Sequence, residues 1–105
     1  MIDKLPRTIA IDFDGTLVEN LYPDIGPPKM DIINRAIEEQ KRGSKLILWT
    51  CRCNEQLDDA VNYCKSFGLF FDAINSNIEE RIKVFKDDSR KVSADEYWDD
   101  RAVTI

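Results

Sequence analysis

Thr8-Ile-Ala-Ile-Asp-Phe-Asp-Gly-Thr-Leu17 begins as an apolar run and ends in two carboxylates, a glycine and a threonine. A run of this kind reads as a strand buried on both faces. Side chains alternate along a strand, so Asp12 and Asp14 are expected on one side and Phe13 on the other. Gly15 lets the chain turn sharply and lets backbone approach a ligand closely. Two acids at the carboxyl end of a buried strand are costly unless something engages them. Mg²⁺, a hard cation that takes oxygen ligands, suits that place. Asp-x-Asp is also common in plain turns, where aspartate bonds its own backbone, so the string must be weighed against the rest of the chain.

Working outward, the first strand is expected at about residues 7–13. A loop rich in proline and glycine follows, through Tyr22-Pro-Asp-Ile-Gly-Pro-Pro28. From Lys29 the residues Met30, Ile33, Ala36 and Ile37 recur at helical spacing, and Gly43 supplies the stop. Lys45-Leu-Ile-Leu-Trp-Thr50 is a second buried strand. Asn54 is suited to cap a second helix, whose stripe is Leu57, Ala60, Val61, Cys64 and Phe67, ended by Gly68. Leu69-Phe-Phe-Asp-Ala-Ile74 reads as a third strand, and Ile78, Ile82 and Phe85 as one short helix within 75–90. Ala94-Asp-Glu-Tyr-Trp98 is a fourth strand, and 101–105 an extended tail. Strands alternating with helices predict an α/β fold with a parallel sheet covered on both faces. Ligands of such sheets bind beyond the carboxyl ends of the strands.

The 105 residues suffice for one domain, taken as 1–105. Hydrophobic content of 43% with 33% charged residues fits a folded globular chain. The net charge of −5 argues against broad nucleic-acid binding, which needs a basic face. A phosphorylated small molecule, or a phosphorylated nucleic-acid end, stays compatible, because a bound Mg²⁺ inverts the local sign. No apolar stretch is long enough to span a bilayer, and Met1-Ile-Asp-Lys-Leu-Pro6 has no signal-peptide pattern. The odd set Cys51, Cys53 and Cys64 then predicts free thiols in a reducing cytoplasm. With no histidine in the chain, Cys51-Arg-Cys53 is a poor zinc site.

If ligands bind at the carboxyl ends, each strand should end in useful polar groups. The first ends in Asp12 and Asp14. The second ends in Thr50-Cys51-Arg52, the third in Asn75, and the fourth, preceded by Lys91, in Asp99-Asp100. Carboxylates for a metal, a nucleophile and donors for phosphate oxygens are the parts of a Mg²⁺-dependent phosphoryl-transfer site.

Asp12-Phe-Asp-Gly-Thr-Leu17, Leu46-Ile-Leu-Trp-Thr-Cys-Arg52 and Ala94-Asp-Glu-Tyr-Trp-Asp-Asp-Arg-Ala102 together resemble the haloacid-dehalogenase (HAD) superfamily. The likeness is to its small, capless branch of bacterial and phage-type hydrolases. It implies a three-layer Rossmann-like sheet with no cap domain, and a phosphatase that works through an aspartyl-phosphate. Asp12 would be the nucleophile and Asp14 the acid/base, a role that neighbouring carboxylates favour by helping it hold a proton. Mg²⁺ would lie among Asp12, the backbone carbonyl of Asp14, Asp99 and Asp100, with Asp99 preferred of the last two. Gly15, Thr16, Thr50, Cys51, Arg52 and Lys91 would line or hold the phosphoryl group, with pairing to an acid an equal alternative for Arg52. Lys83 and Lys86 are alternatives to Lys91.

Neither Val18–Pro28 nor 75–90 is long enough for a cap, so loops, substrate or a partner must exclude water. Tyr22 and Ile25 are candidates for a small flap. An exposed sheet edge would invite a homodimer. Two rival readings have discriminating features. A receiver-type phospho-acceptor would carry its aspartate at the end of the third strand, where this chain has only Asp72 inside the run. A non-catalytic phospho-ligand module would bind without turnover, although neither Asp12 nor Asp14 has been lost.

Overall fold

A computed structural model describes residues 5–101 of the chain. Its elements are β1 (Thr8–Ile11), α1 (Met30–Lys41), β2 (Lys45–Leu48), α2 (Asn54–Ser66), β3 (Ala73–Ile74), α3 (Glu79–Phe85) and β4 (Glu96–Trp98). All pairings are parallel and the sheet order is β3-β2-β1-β4. The α/β layering without a cap is as the pattern predicts. The extended tail expected beyond Arg101, and the residues before Leu5, lie outside the described residues.

The chain steps from β1 outward through β2 to β3, then returns to place β4 on the other side of β1. The crevice above β1 is therefore the switch point where open α/β sheets bind ligands. One face of the sheet carries the larger core: Ile9, Ile11, Leu46 and Leu48 pack with Ile33 and Ala36 of α1 and with Ala60 and Cys64 of α2. On the other face Ala10 and Ile47 pack with Ile78 and Val92. Burial pushes the Cys64 thiol up to about 12, so it stays a protonated core group. The described residues include no helix long and apolar enough to cross a membrane.

Strands β3 and β4 are shorter than their apolar runs suggest, and for the same reason. The Leu46 amide donates to the Asp72 carboxylate at 2.8 Å and the Thr8 amide to Asp95 at 2.7 Å. Each aspartate side chain substitutes for a strand carbonyl, so regular pairing starts only after it, at Ala73 and Glu96. Residues 69–72 are not strand; Leu69 instead plugs the core. The capping role expected of Asn54 also fails. Cys53 occupies the N-cap without a side-chain cap bond, and Asn54 opens α2 at φ +52°. Asparagine tolerates that left-handed conformation better than most residues, which is a different use of the same side chain.

Candidate functional site

The opening string ceases to be a strand sooner than alternation requires. The Asp12 amide still donates to the Trp98 carbonyl at 2.9 Å, but from Phe13 the chain turns, with the amides of Thr16, Leu17 and Val18 all bonding the Phe13 carbonyl. Gly15 sits at φ +90° within this turn. A Cβ there would lie 2.1 Å from Asp100 Oδ2, so only glycine lets the β4 end close against the β1 end. Asp12 and Asp14 still line one hollow while Phe13 is buried in the core, as alternation suggests, although Asp14 is already in the turn.

Asp12 meets the two acids that follow β4. One carboxylate oxygen from each of Asp12, Asp99 and Asp100 lies within 4.8 Å of the others. Burial and the charges of Asp99 and Asp100 push the Asp12 carboxyl up from 3.8 to about 7, opposed by the Phe13 amide, which donates to it. Thr16 Oγ1 stands 3.5 Å from Asp12 Oδ2. This set of hard oxygen donors suits a hard cation such as Mg²⁺, and the repulsion that perturbs Asp12 is what a dication would relieve. Both Asp99 and Asp100 take part. The Asp14 carboxylate is not one of the three, and the resemblance calls on its backbone carbonyl instead.

Asp14 is held by Arg52. Nε donates to Oδ2 at 2.7 Å and Nη2 to Oδ1 at 2.8 Å, a bidentate pair. The guanidinium also donates to the carbonyls of Pro23, Asp24 and Gln56, and it is 1% exposed. Its carbon lies 5.0 Å from the Phe13 ring centre and 5.1 Å from that of Tyr22. The Asp14 charge raises the Arg52 pKa further. Arg52 is thus a clamp joining Asp14 to the loop after β1; of the two roles the sequence left open to it, it takes the pairing with an acid. The loop that carries Tyr22 and Ile25, read from sequence as a flap, is tied down by the same side chain.

Thr50 follows β2 where expected. Its hydroxyl accepts from the Arg52 amide at 3.1 Å, and its own amide donates to Asn75 Oδ1 at 2.8 Å, so Asn75 braces the end of β2. An open hollow of about 420 Å³ is lined by Asp12, Asp14, Tyr22, Thr50, Asp99 and Arg101, among others including Cys51. A second, of about 330 Å³, shares Asp99 and adds Gly15, Thr16, Lys29, Arg35 and Asp100. A larger hollow by Arg7 and Ser44 opens at the opposite end of the strands, away from these acids.

The chain is similar to a solved structure. It is that of the conserved protein coded by a locus from Bacteroides thetaiotaomicron, with 41% sequence identity and a TM-score of 0.81 over 94% of this chain and 79% of that one. No family model matches the chain, and no curated protein does.

Lys29, Arg35 and Arg101 are cations at the crevice that were not singled out by sequence. Lys29 Nζ donates to the Gly15 carbonyl at 2.9 Å, and Arg101 lines the larger of the two hollows above β1. Lys29 precedes α1 by one residue and has no distinguishing pattern; Arg101 directly follows the acidic pair and might have been found by that adjacency alone. Lys91 is exposed and lines neither hollow. Its neighbour Val92 packs on Ala10 and Ile47, the sheet face to which Asp12 belongs by alternation.

Proposed function

We propose that this chain is a Mg²⁺-dependent phosphatase of HAD type that acts through an aspartyl-phosphate on Asp12. The observation that carries the reading is the convergence of Asp12, Asp99 and Asp100 from two adjacent strand ends onto one point, with Asp14 held beside them by a buried arginine. A plain Asx turn accounts for none of this, since its carboxylate would bond its own backbone.

In this reading Asp12, Asp99 and Asp100 hold Mg²⁺, which supplies charge neutralisation for the incoming phosphoryl oxygens. An Asp12 oxygen attacks phosphorus as the bond to the leaving oxygen breaks and Asp14 gives that oxygen a proton, splitting one difficult step into two. Asp14, fixed by Arg52, is placed to accept the proton of the water that hydrolyses the aspartyl-phosphate. The Thr50 hydroxyl and the Arg101 guanidinium donate to the phosphoryl oxygens. Thr16 supports the Asp12 carboxylate.

The test is release of inorganic phosphate from a generic aryl phosphate by purified protein. Hydrolysis is expected with Mg²⁺, lost with chelator, and reduced on the order of 10³-fold or more by Asp12→Asn. Turnover that survives Asp12→Asn would remove the nucleophile from the scheme.

A further inference from the structure

Above Asp14 the side chains form a layered stack. The Phe13 ring is fully buried, the Arg52 guanidinium lies over it, and the Tyr22 ring lies against that guanidinium while remaining 56% exposed. The stack therefore ends in an aromatic ring that faces solvent and lines the same hollow as Asp12 and Thr50. The ring is held in place: Arg52 donates to the carbonyls of the next two residues, Pro23 and Asp24, at 3.2 and 2.8 Å. The Tyr22 amide donates to Asn20 Oδ1 at 3.3 Å, and Asn20 lines the hollow too. With that oxygen engaged, the two N–H donors of the Asn20 amide are left for a ligand.

An exposed ring on a rigid mount beside amide donors is a platform for a planar group with acceptor atoms at its edge. The volume of about 420 Å³ falls in the range of small-molecule sites. The net charge of −5 disfavours a long polyanion, so a single nucleotide unit fits better than an extended strand.

We infer that the substrate is a nucleoside monophosphate, its base stacked on Tyr22 and contacted by Asn20 while its phosphate reaches Asp12. This rests on the phosphatase reading for the fate of the phosphate, but the base site itself does not. Tyr22 sets specificity and touches no reacting atom.

The test compares adenosine 5′-monophosphate with ribose 5-phosphate, which present the same primary alcohol as leaving group and differ in the base. Both kcat/KM on the wild type and calorimetric binding to Asp12→Asn protein with Mg²⁺ are measured. The nucleotide should be favoured by about tenfold in each, within what stacking of a base on an aromatic ring supplies. Tyr22→Ala should collapse the ratio toward one, and Tyr22→Phe should preserve it. Equal affinities, no binding of either probe, or a ratio unchanged in Tyr22→Ala would overturn the inference. A binding preference without hydrolysis of any ester would defeat the phosphatase reading and leave the base site standing. Hydrolysis of both probes with no preference would do the reverse.

Discussion

Arg52 grips Asp14 by two parallel bonds of 2.7 and 2.8 Å, while Asp12, two residues earlier, faces the carboxylates of Asp99 and Asp100. The two acids of one short string thus stand in opposite electrostatic settings. One charge is neutralised by a buried cation, and the other is left among like charges. The predictions below follow from that division.

Arg52→Ala removes a guanidinium that is 1% exposed and leaves Asp14 and the Pro23 and Asp24 carbonyls without their donor. Breaking one side of a buried ion pair costs about 3–5 kcal/mol. Against a typical stability of about 5–15 kcal/mol, that brings the domain close to unfolding. Arg52→Lys keeps the charge but not the fork and should cost less. Urea denaturation should rank wild type above Arg52→Lys above Arg52→Ala. An Arg52→Ala protein as stable as wild type would show that the clamp contributes nothing.

Asp14→Asn and Asp99→Asn should separate metal binding from turnover. Asp99 and Asp100 each offer an oxygen to the acidic cluster, and the Asp14 side chain does not. Removing a charged ligand should weaken Mg²⁺ by roughly tenfold or more in Asp99→Asn and in Asp100→Asn. Asp14→Asn should keep Mg²⁺ affinity within a few-fold of wild type yet lose hydrolysis. Calorimetric titration with Mg²⁺ decides it, and equal losses in all three variants would place Asp14 among the ligands after all.

The sheet, its parallel sense and the crevice at the strand ends were legible in the sequence because apolar runs, helical stripes and terminal acids are local signals. What was not legible depends on contacts between distant residues. Asp72 and Asp95 look like ordinary interruptions of apolar runs, yet each replaces a carbonyl of the neighbouring strand. The sequence left Arg52 open between an acid and the substrate, but could not name the acid, because Asp14 lies 38 positions away. Alternation put Asp12 and Asp14 together, and both line one hollow; it did not show that Arg52 would hold one of them, or that the approach of Asp100 to Gly15 would leave the other among carboxylates.

That approach makes Gly15→Ala a sharp test of the site's geometry. The residue sits at φ +90°, and an added Cβ would lie 2.1 Å from a carboxylate oxygen of Asp100. Backbone strain at such a position costs on the order of 1–3 kcal/mol. The clash also displaces Asp100 from Asp12, so Mg²⁺ affinity should fall together with the thermal midpoint. An alanine variant that melts lower but binds Mg²⁺ normally would separate the two effects and exclude Asp100 from the metal site.

The repulsion around Asp12 should appear as an unusual pH dependence of stability in metal-free protein. Its carboxyl is pushed up from 3.8 to about 7, first by burial and then by Asp99. Between those values the folded chain keeps a proton that the unfolded chain has released, so raising the pH favours unfolding. The carboxyls of Glu39 and Glu96, lowered chiefly by hydrogen bonds from Arg7 and from Trp98 respectively, act in the opposite sense. Their stabilisation is in place above the ordinary value of 4.5 and is lost only in acid below it. From about pH 4.5 to 7, then, the stability of the metal-free domain should decline, and it should level off above. Mg²⁺ binds the ionised form of Asp12, so it should stabilise the protein more at pH 8 than at pH 5.5. Denaturation midpoints across this range, with Mg²⁺ and with chelator, check the sign. Asp12→Asn should flatten the metal-free decline, because it removes the proton without removing the side chain. A decline of the same slope in Asp12→Asn would assign the effect to another group.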